Sequence, residues 1–140
     1  DILKAGLAGS EEEDRIEVAS AGTGAPEGFS ASAEAVMTLM ERGIDISGHK
    51  ARLITREMAD SADLILVMEK VHLDLLRVLT RDHEKIFLLK SFGPGAAGGE
   101  VFDPIGSDME FYRASAEELE AEIGRILPEI LHRMGEGKHD

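Results

Sequence analysis

The sequence predicts an α/β fold, a three-layer sandwich built on a small parallel sheet. Two short apolar runs without alternation, Leu64-Ile65-Leu66-Val67-Met68 and Lys85-Ile86-Phe87-Leu88-Leu89, read as strands covered on both faces. Helical stripes separate and follow them, so the strands join through crossovers rather than hairpins. The 140 residues suit one domain, 1–140, and the 43% hydrophobic content is enough for one core.

In chain order, Leu3 and Leu7 lie four apart, and Gly6 and Gly9 loosen and end the turns that carry them, so 1–9 reads as the tail of a helix. Glu11-Glu12-Glu13-Asp14 is a solvated charge run. Arg15 to Ser20 alternates polar and apolar, as a half-covered strand does, and stops at the turn residues from Ala21 to Pro26. Ser30 or Ser32 caps the next helix, in which Ala33, Val36, Met37 and Met40 form the apolar stripe, with the methionines as core filler, and Gly43 ends it. The stretch from Gly43 to Arg52 is turn-rich. Thr55 then caps a short helix that ends near Ala62.

After the first apolar strand, Val71, Leu75, Val78 and Leu79 form a helical stripe. The second apolar strand leads to a glycine loop, Gly93-Pro94-Gly95-Ala96-Ala97-Gly98-Gly99, read as very flexible. Ser107-x-x-Glu110 reads as a capping box for a long last helix with the stripe Leu119, Ile123, Ile126, Leu127, Ile130 and Met134, kinked at Pro128. A strand is expected in front of the opening helix, and the 140 residues do not hold it; the sheet is read as lacking its first strand.

Composition narrows the function classes. A net charge of −13 repels a phosphate backbone, which argues against nucleic acid, although backbone N–H groups can still bind a phosphate locally. No run approaches a membrane span and the first residues resemble no targeting segment, so a cytoplasmic protein with no membrane partner is expected. There is no cysteine, hence no disulfide, thiolate metal site or thiol nucleophile among these residues. The histidines are scattered without ligand spacing, so neither a metal nor another cofactor is expected.

The chemistry-bearing stretch is Val101-Phe102-Asp103-Pro104-Ile105-Gly106. Pro104 restricts the Asp103 backbone to extended or turn geometry, and the glycine loop precedes it. A carboxylate on a stiff turn beside a mobile loop suits a general acid; a plain Asp-Pro turn start is the alternative. Sheets of this class place their chemistry at the carboxyl ends of the strands, where Ser20 to Thr23 and the Asp103 loop would both lie.

Taken together in order, Ala19-Ser20-Ala21-Gly22-Thr23, the Gly43 to Arg52 segment with His49, Ala62 to Met68, and Asp103-Pro104 resemble the low-molecular-weight protein tyrosine phosphatases over essentially the whole chain. The resemblance implies a Cys-x5-Arg phosphate loop ahead of residue 1, after the missing strand. Its thiolate would attack phosphorus and form a cysteinyl phosphate. Asp103 would protonate the leaving group and then activate water. Ser20 and His49 would support the phosphate loop, and Pro104 and Ile105 would line the substrate pocket. Family members commonly carry two tyrosines after Asp-Pro; Ile105 and Gly106 stand there instead, which is more similar to the bacterial branch that includes protein-arginine phosphatases. The implied partners are a phosphorylated protein, on tyrosine or arginine, and phosphate or another oxyanion. One other reading stays open, a phosphatase-like binding or regulatory protein without activity, for which the missing thiol speaks; the related arsenate reductases need the cysteines of a redox relay, and with none present that reading has nothing to work with.

Overall fold

The computed structural model describes residues 17–22, 31–48, 50, 52–102 and 107–136, the last three as backbone only. Its elements are α1 (Ala33–Met40), α2 (Arg56–Ser61), β1 (Ile65–Val67), α3 (Lys70–Leu79), β2 (Ile86–Leu88) and α4 (Met109–Glu136), with 3-10 turns at His83–Lys85 and Leu89–Ser91. The two strands pair in parallel, with Ile65 opposite Ile86, Leu66 opposite Phe87 and Val67 opposite Leu88.

Successive strand residues point to opposite faces, so this short ladder builds two cores. Ile65, Val67, Ile86 and Leu88 pack with Ile54, Ala59, Leu73 and Leu76 under α2 and α3. On the other face Leu64, Leu66, Met68 and Phe87 pack with Leu89, Phe92, Val101, Leu119, Ile126 and Ile130, against α4. Helices on both faces of a parallel sheet give the three layers the apolar runs predict. The α4 stripe is present at Leu119, Ile123, Ile126 and Ile130, with Ile126 wholly buried, and it extends upstream through the buried Tyr112 and Ala116. The helix runs through Pro128 as one element.

Two of the three predicted caps are in place. The Ser32 hydroxyl accepts from the Ala35 N–H, and the Thr55 hydroxyl accepts from the Met58 N–H at 3.1 Å. Each satisfies a donor that the first helical turn leaves without a partner.

Several expectations are corrected. Glu17 to Ser20, the described part of the first expected strand, is irregular; pairing comes two residues later, where Gly22 bridges Leu53 in parallel through Gly22 N to Arg52 O and Ile54 N to Gly22 O, both 2.8 Å. The α1 face toward the core is set by α4, against which it packs, so the buried residue is Thr38, while Met37 is 57% exposed and Met40 also points out. The α3 stripe is likewise out of phase: Leu76 is buried and Leu73 packs beside it, whereas Val71 and Leu75 are exposed and Val78 is 79% exposed. The cap of α4 is Asp108, whose carboxylate accepts from the Phe111 N–H at 3.2 Å, one residue after the predicted Ser107. Residues 1–9, the opening helix of the sequence reading, lie outside the described residues.

Candidate functional site

Asp103, Pro104, Ile105 and His49 lie outside the described residues; Ser20 lies within them. What the structure supplies is the frame on either side of 103–106, at the carboxyl end of β1. Val101, buried in the α4-side core, donates its N–H to the Met68 carbonyl at 2.9 Å, one residue past the end of β1. Glu100 reaches over to the first turn of α3, where its carboxylate accepts from the Lys70 N–H at 2.8 Å. That contact replaces the missing side-chain cap of α3, since Glu69 makes none, and an anion is favoured at a helix N-terminus by both the free N–H and the dipole.

The far side is equally fixed. Asp108 caps α4, and four residues on the buried Tyr112 accepts a hydrogen bond at its phenol oxygen from the Ser32 hydroxyl at 3.0 Å. Ser32 thereby ties the start of α1 to the start of α4. Arg42 pairs with Glu120, and Arg113 with Glu41 at 3.2 Å, along the same helix pair. So Val101, before 103–106, is pinned to the sheet, and Asp108, after it, is pinned through α4 to α1.

The glycine loop before it is not free-swinging. Gly93, Gly95, Gly98 and Gly99 all take positive φ, a region closed to most side chains, so the loop needs glycine there for its path. Arg125 of α4 donates to the Leu89, Phe92 and Pro94 carbonyls at 3.1, 2.5 and 3.1 Å and pairs through Nε with Glu122 at 2.6 Å. Gly98 N–H closes back on the Lys90 carbonyl at 2.8 Å. A single guanidinium fork thus fastens the first half of the loop to the last helix, which corrects the reading of these seven residues as very flexible. The run of glycines signals unusual backbone angles, and flexibility is only one use of them.

Ser20 is exposed, and its carbonyl accepts from the Arg52 Nε at 3.0 Å; its hydroxyl has no partner among the described residues. In the turn-rich segment before position 49, the Asp45 carboxyl is held below its ordinary value of 3.8 by hydrogen bonds from the Ser47 side chain and backbone, the latter at 2.9 Å. Ile46 is buried beside it, so this turn is both packed and internally bonded. Phe102 and Phe111, before and after 103–106 in the chain, are both exposed. Among the described residues no group of three acidic or histidine side chains could hold a metal ion.

Glu100, Arg125 and Asp108 were not among the residues the sequence singled out. Only Asp108 carried a local signal, as an Asx residue three before an N–H it could cap. Glu100 and Arg125 reach across 30 to 36 residues of chain, which no local pattern encodes.

Comparison with known proteins agrees with this geometry. The model of the family described as low molecular weight phosphotyrosine protein phosphatase matches residues 3–136. A protein-arginine-phosphatase of Geobacillus stearothermophilus is 37% identical over 116 residues, 82% of this chain and 77% of that protein. The solved YwlE arginine phosphatase from Geobacillus stearothermophilus superposes with a TM-score of 0.83 at 33% identity, covering 99% of this chain and 86% of that one. A second solved YwlE arginine phosphatase, a cysteine-to-serine mutant with a phosphorylated active-site serine, gives a TM-score of 0.80 at 32% identity over 95% of this chain and 88% of that one.

Proposed function

The chain belongs to the low molecular weight phosphotyrosine protein phosphatase family, and from that premise we propose that it is a phosphoprotein phosphatase acting on phosphoarginine. The relatives named above are arginine phosphatases, and Ile105-Gly106 in place of two ring-stacking tyrosines suits a narrower guanidinium substrate. The planar guanidinium still finds an aromatic face in the exposed Phe102 or Phe111.

The mechanism we assign runs through a cysteinyl phosphate. A thiolate attacks phosphorus, the phosphorus–nitrogen bond breaks, and the proton on the leaving guanidine nitrogen comes from Asp103. Asp103, now a carboxylate, takes a proton from water as its oxygen attacks the thiophosphate, releasing phosphate and the thiolate. The 140 residues contain no cysteine, so the thiolate lies outside them. Ser20 and His49 are assigned to supporting the phosphate loop, and Pro104 and Ile105 to the pocket wall. The observation that carries the proposal is the anchoring of Val101 and Asp108 on either side of 103–106: an aspartate that must reach a leaving group in two successive steps needs a chain fixed at both ends.

The test joins a family-type Cys-x5-Arg segment ahead of Asp1 and measures phosphate release from phosphoarginine and phosphotyrosine peptides. Turnover preferring phosphoarginine, with Asp103→Asn lowering kcat by about 10²–10⁴-fold while phosphate still binds, is expected. Undiminished kcat in Asp103→Asn removes it from the mechanism, and a preference for phosphotyrosine overturns the substrate assignment. The 140 residues alone are expected to give no turnover; turnover from them would exclude the thiolate route.

A further inference from the structure

At the opposite ends of the strands from the 103–106 frame, a cavity of about 390 Å³ opens between α2 and the chain after α3, lined by Arg56, Asp60, Thr80, Arg81, Asp82 and Lys85. Lys85 sits immediately before β2 and is only 8% exposed. Its ammonium donates to the carbonyls of Asp60 and Ala62 at 3.0 and 2.7 Å, and no carboxylate pairs with it among the described residues. Buried ammonium groups usually find a counter-charge, because carbonyl dipoles alone repay desolvation poorly. The Asp60 carboxylate is engaged otherwise: it accepts from the Thr80 hydroxyl at 2.6 Å.

Arg56 and Arg81 line the same cavity, and neither guanidinium makes a hydrogen bond or ion pair with a described residue. In a chain with 28 acidic and 15 basic residues, two unpaired arginines beside a buried lysine are an unusual concentration of positive charge. The turn that presents Arg81 is itself held: His83 Nε2 lies 2.7 and 2.8 Å from the Arg77 and Thr80 carbonyls, so that nitrogen carries its proton and donates.

We propose that this cavity binds the phosphoryl group of a small molecule. Two planar guanidinium forks suit a tetrahedral oxyanion, and Lys85 adds charge from the floor. Three cations against two carboxylates leave a small positive balance, which fits one phosphoryl group better than a polyphosphate. The rest of the volume, several times that of phosphate itself, takes the body of the ligand. The site shares no residue with the candidate catalytic frame, so it stands whether or not the phosphatase reading does.

The test titrates inorganic phosphate into the 140-residue chain at low ionic strength, following backbone amide shifts by NMR. Saturable shifts over Thr80 to Lys85 are expected, weakened about tenfold or more in Arg56→Ala/Arg81→Ala. Asp82→Asn should tighten binding by removing the opposing charge, and Asp103→Asn should leave it unchanged. Because Arg56, Arg81 and Asp82 are exposed, these variants keep the fold. Shifts that do not saturate, that fall only elsewhere in the chain, or that survive the double substitution with unchanged affinity would overturn the proposal.

Discussion

Replacing Arg125 by alanine should be among the costliest single changes outside the strands. Its side chain is 18% exposed and that of Glu122 14%, so both charges are largely desolvated. The substitution strands three carbonyls, of Leu89, Phe92 and Pro94, and leaves the Glu122 carboxylate without its cation. Breaking one side of a buried pair costs about 3–5 kcal/mol, and water reaching the opened loop carbonyls should hold the total near the lower end, about 3 kcal/mol. Against a total stability of about 5–15 kcal/mol that is a large fraction. For a chain of this size it corresponds to a fall in Tm of roughly 10 °C. Urea denaturation of the wild type, Arg125→Ala, Glu122→Gln and the double variant would separate the parts. The double variant should recover about 1–2 kcal/mol relative to Arg125→Ala, because no charge is then left unpaired. Arg125→Lys should fall between, since an ammonium keeps the charge but cannot span three carbonyls. A loss below about 0.5 kcal/mol in Arg125→Ala, within the range of ordinary surface changes, would refute the claim that this guanidinium fastens the loop.

Two further outcomes follow from the same geometry. Glu100→Ala removes the cap on the Lys70 N–H and should cost about 1 kcal/mol; in a form carrying the thiolate loop it should also lower kcat more than it raises KM, with Glu100→Gln retaining most of both, and equal effects of the two variants would remove Glu100 from positioning the 103–106 segment. Asp45 titrates below its ordinary value, so the stabilisation of its turn is present above about pH 4 and is lost as pH falls through the folded-state value; in NMR titration Ser47→Ala should raise the Asp45 pKa toward 3.8, and an unchanged value would show that the Ser47 hydroxyl is not the cause.

The parts of the fold legible in sequence are those with a short-range cause. Ser32 and Thr55 cap helices because the acceptor and the N–H it satisfies are three residues apart. The runs at 64–68 and 85–89 announce parallel, doubly covered strands because both faces must be apolar. The errors in helix phase share one origin. Helix α3 carries two apolar stripes, Val71-Leu75-Val78 and Leu73-Leu76, and α1 can turn either its methionines or Thr38 inward. Periodicity shows that a helix has a face; the partner it meets decides which one.

For the candidate site the division is similar. By itself the sequence determined the three-layer α/β class, the order of the elements from Ala33 onward, the family, and Asp103 as the group to test, because local periodicity, capping and motif order are properties of neighbours along the chain. Only the tertiary structure decided what fixes the chain on either side of that segment: Glu100 on α3, Val101 on the end of β1, Tyr112 through to Ser32, and Arg125 on the start of the glycine loop. It also brought Arg56, Arg81 and Lys85 to one cavity. These are pairings between residues far apart in the chain, fixed by the parallel crossover of β1 and β2 and by the packing of α4 on the sheet, and no spacing of residue types states them in advance.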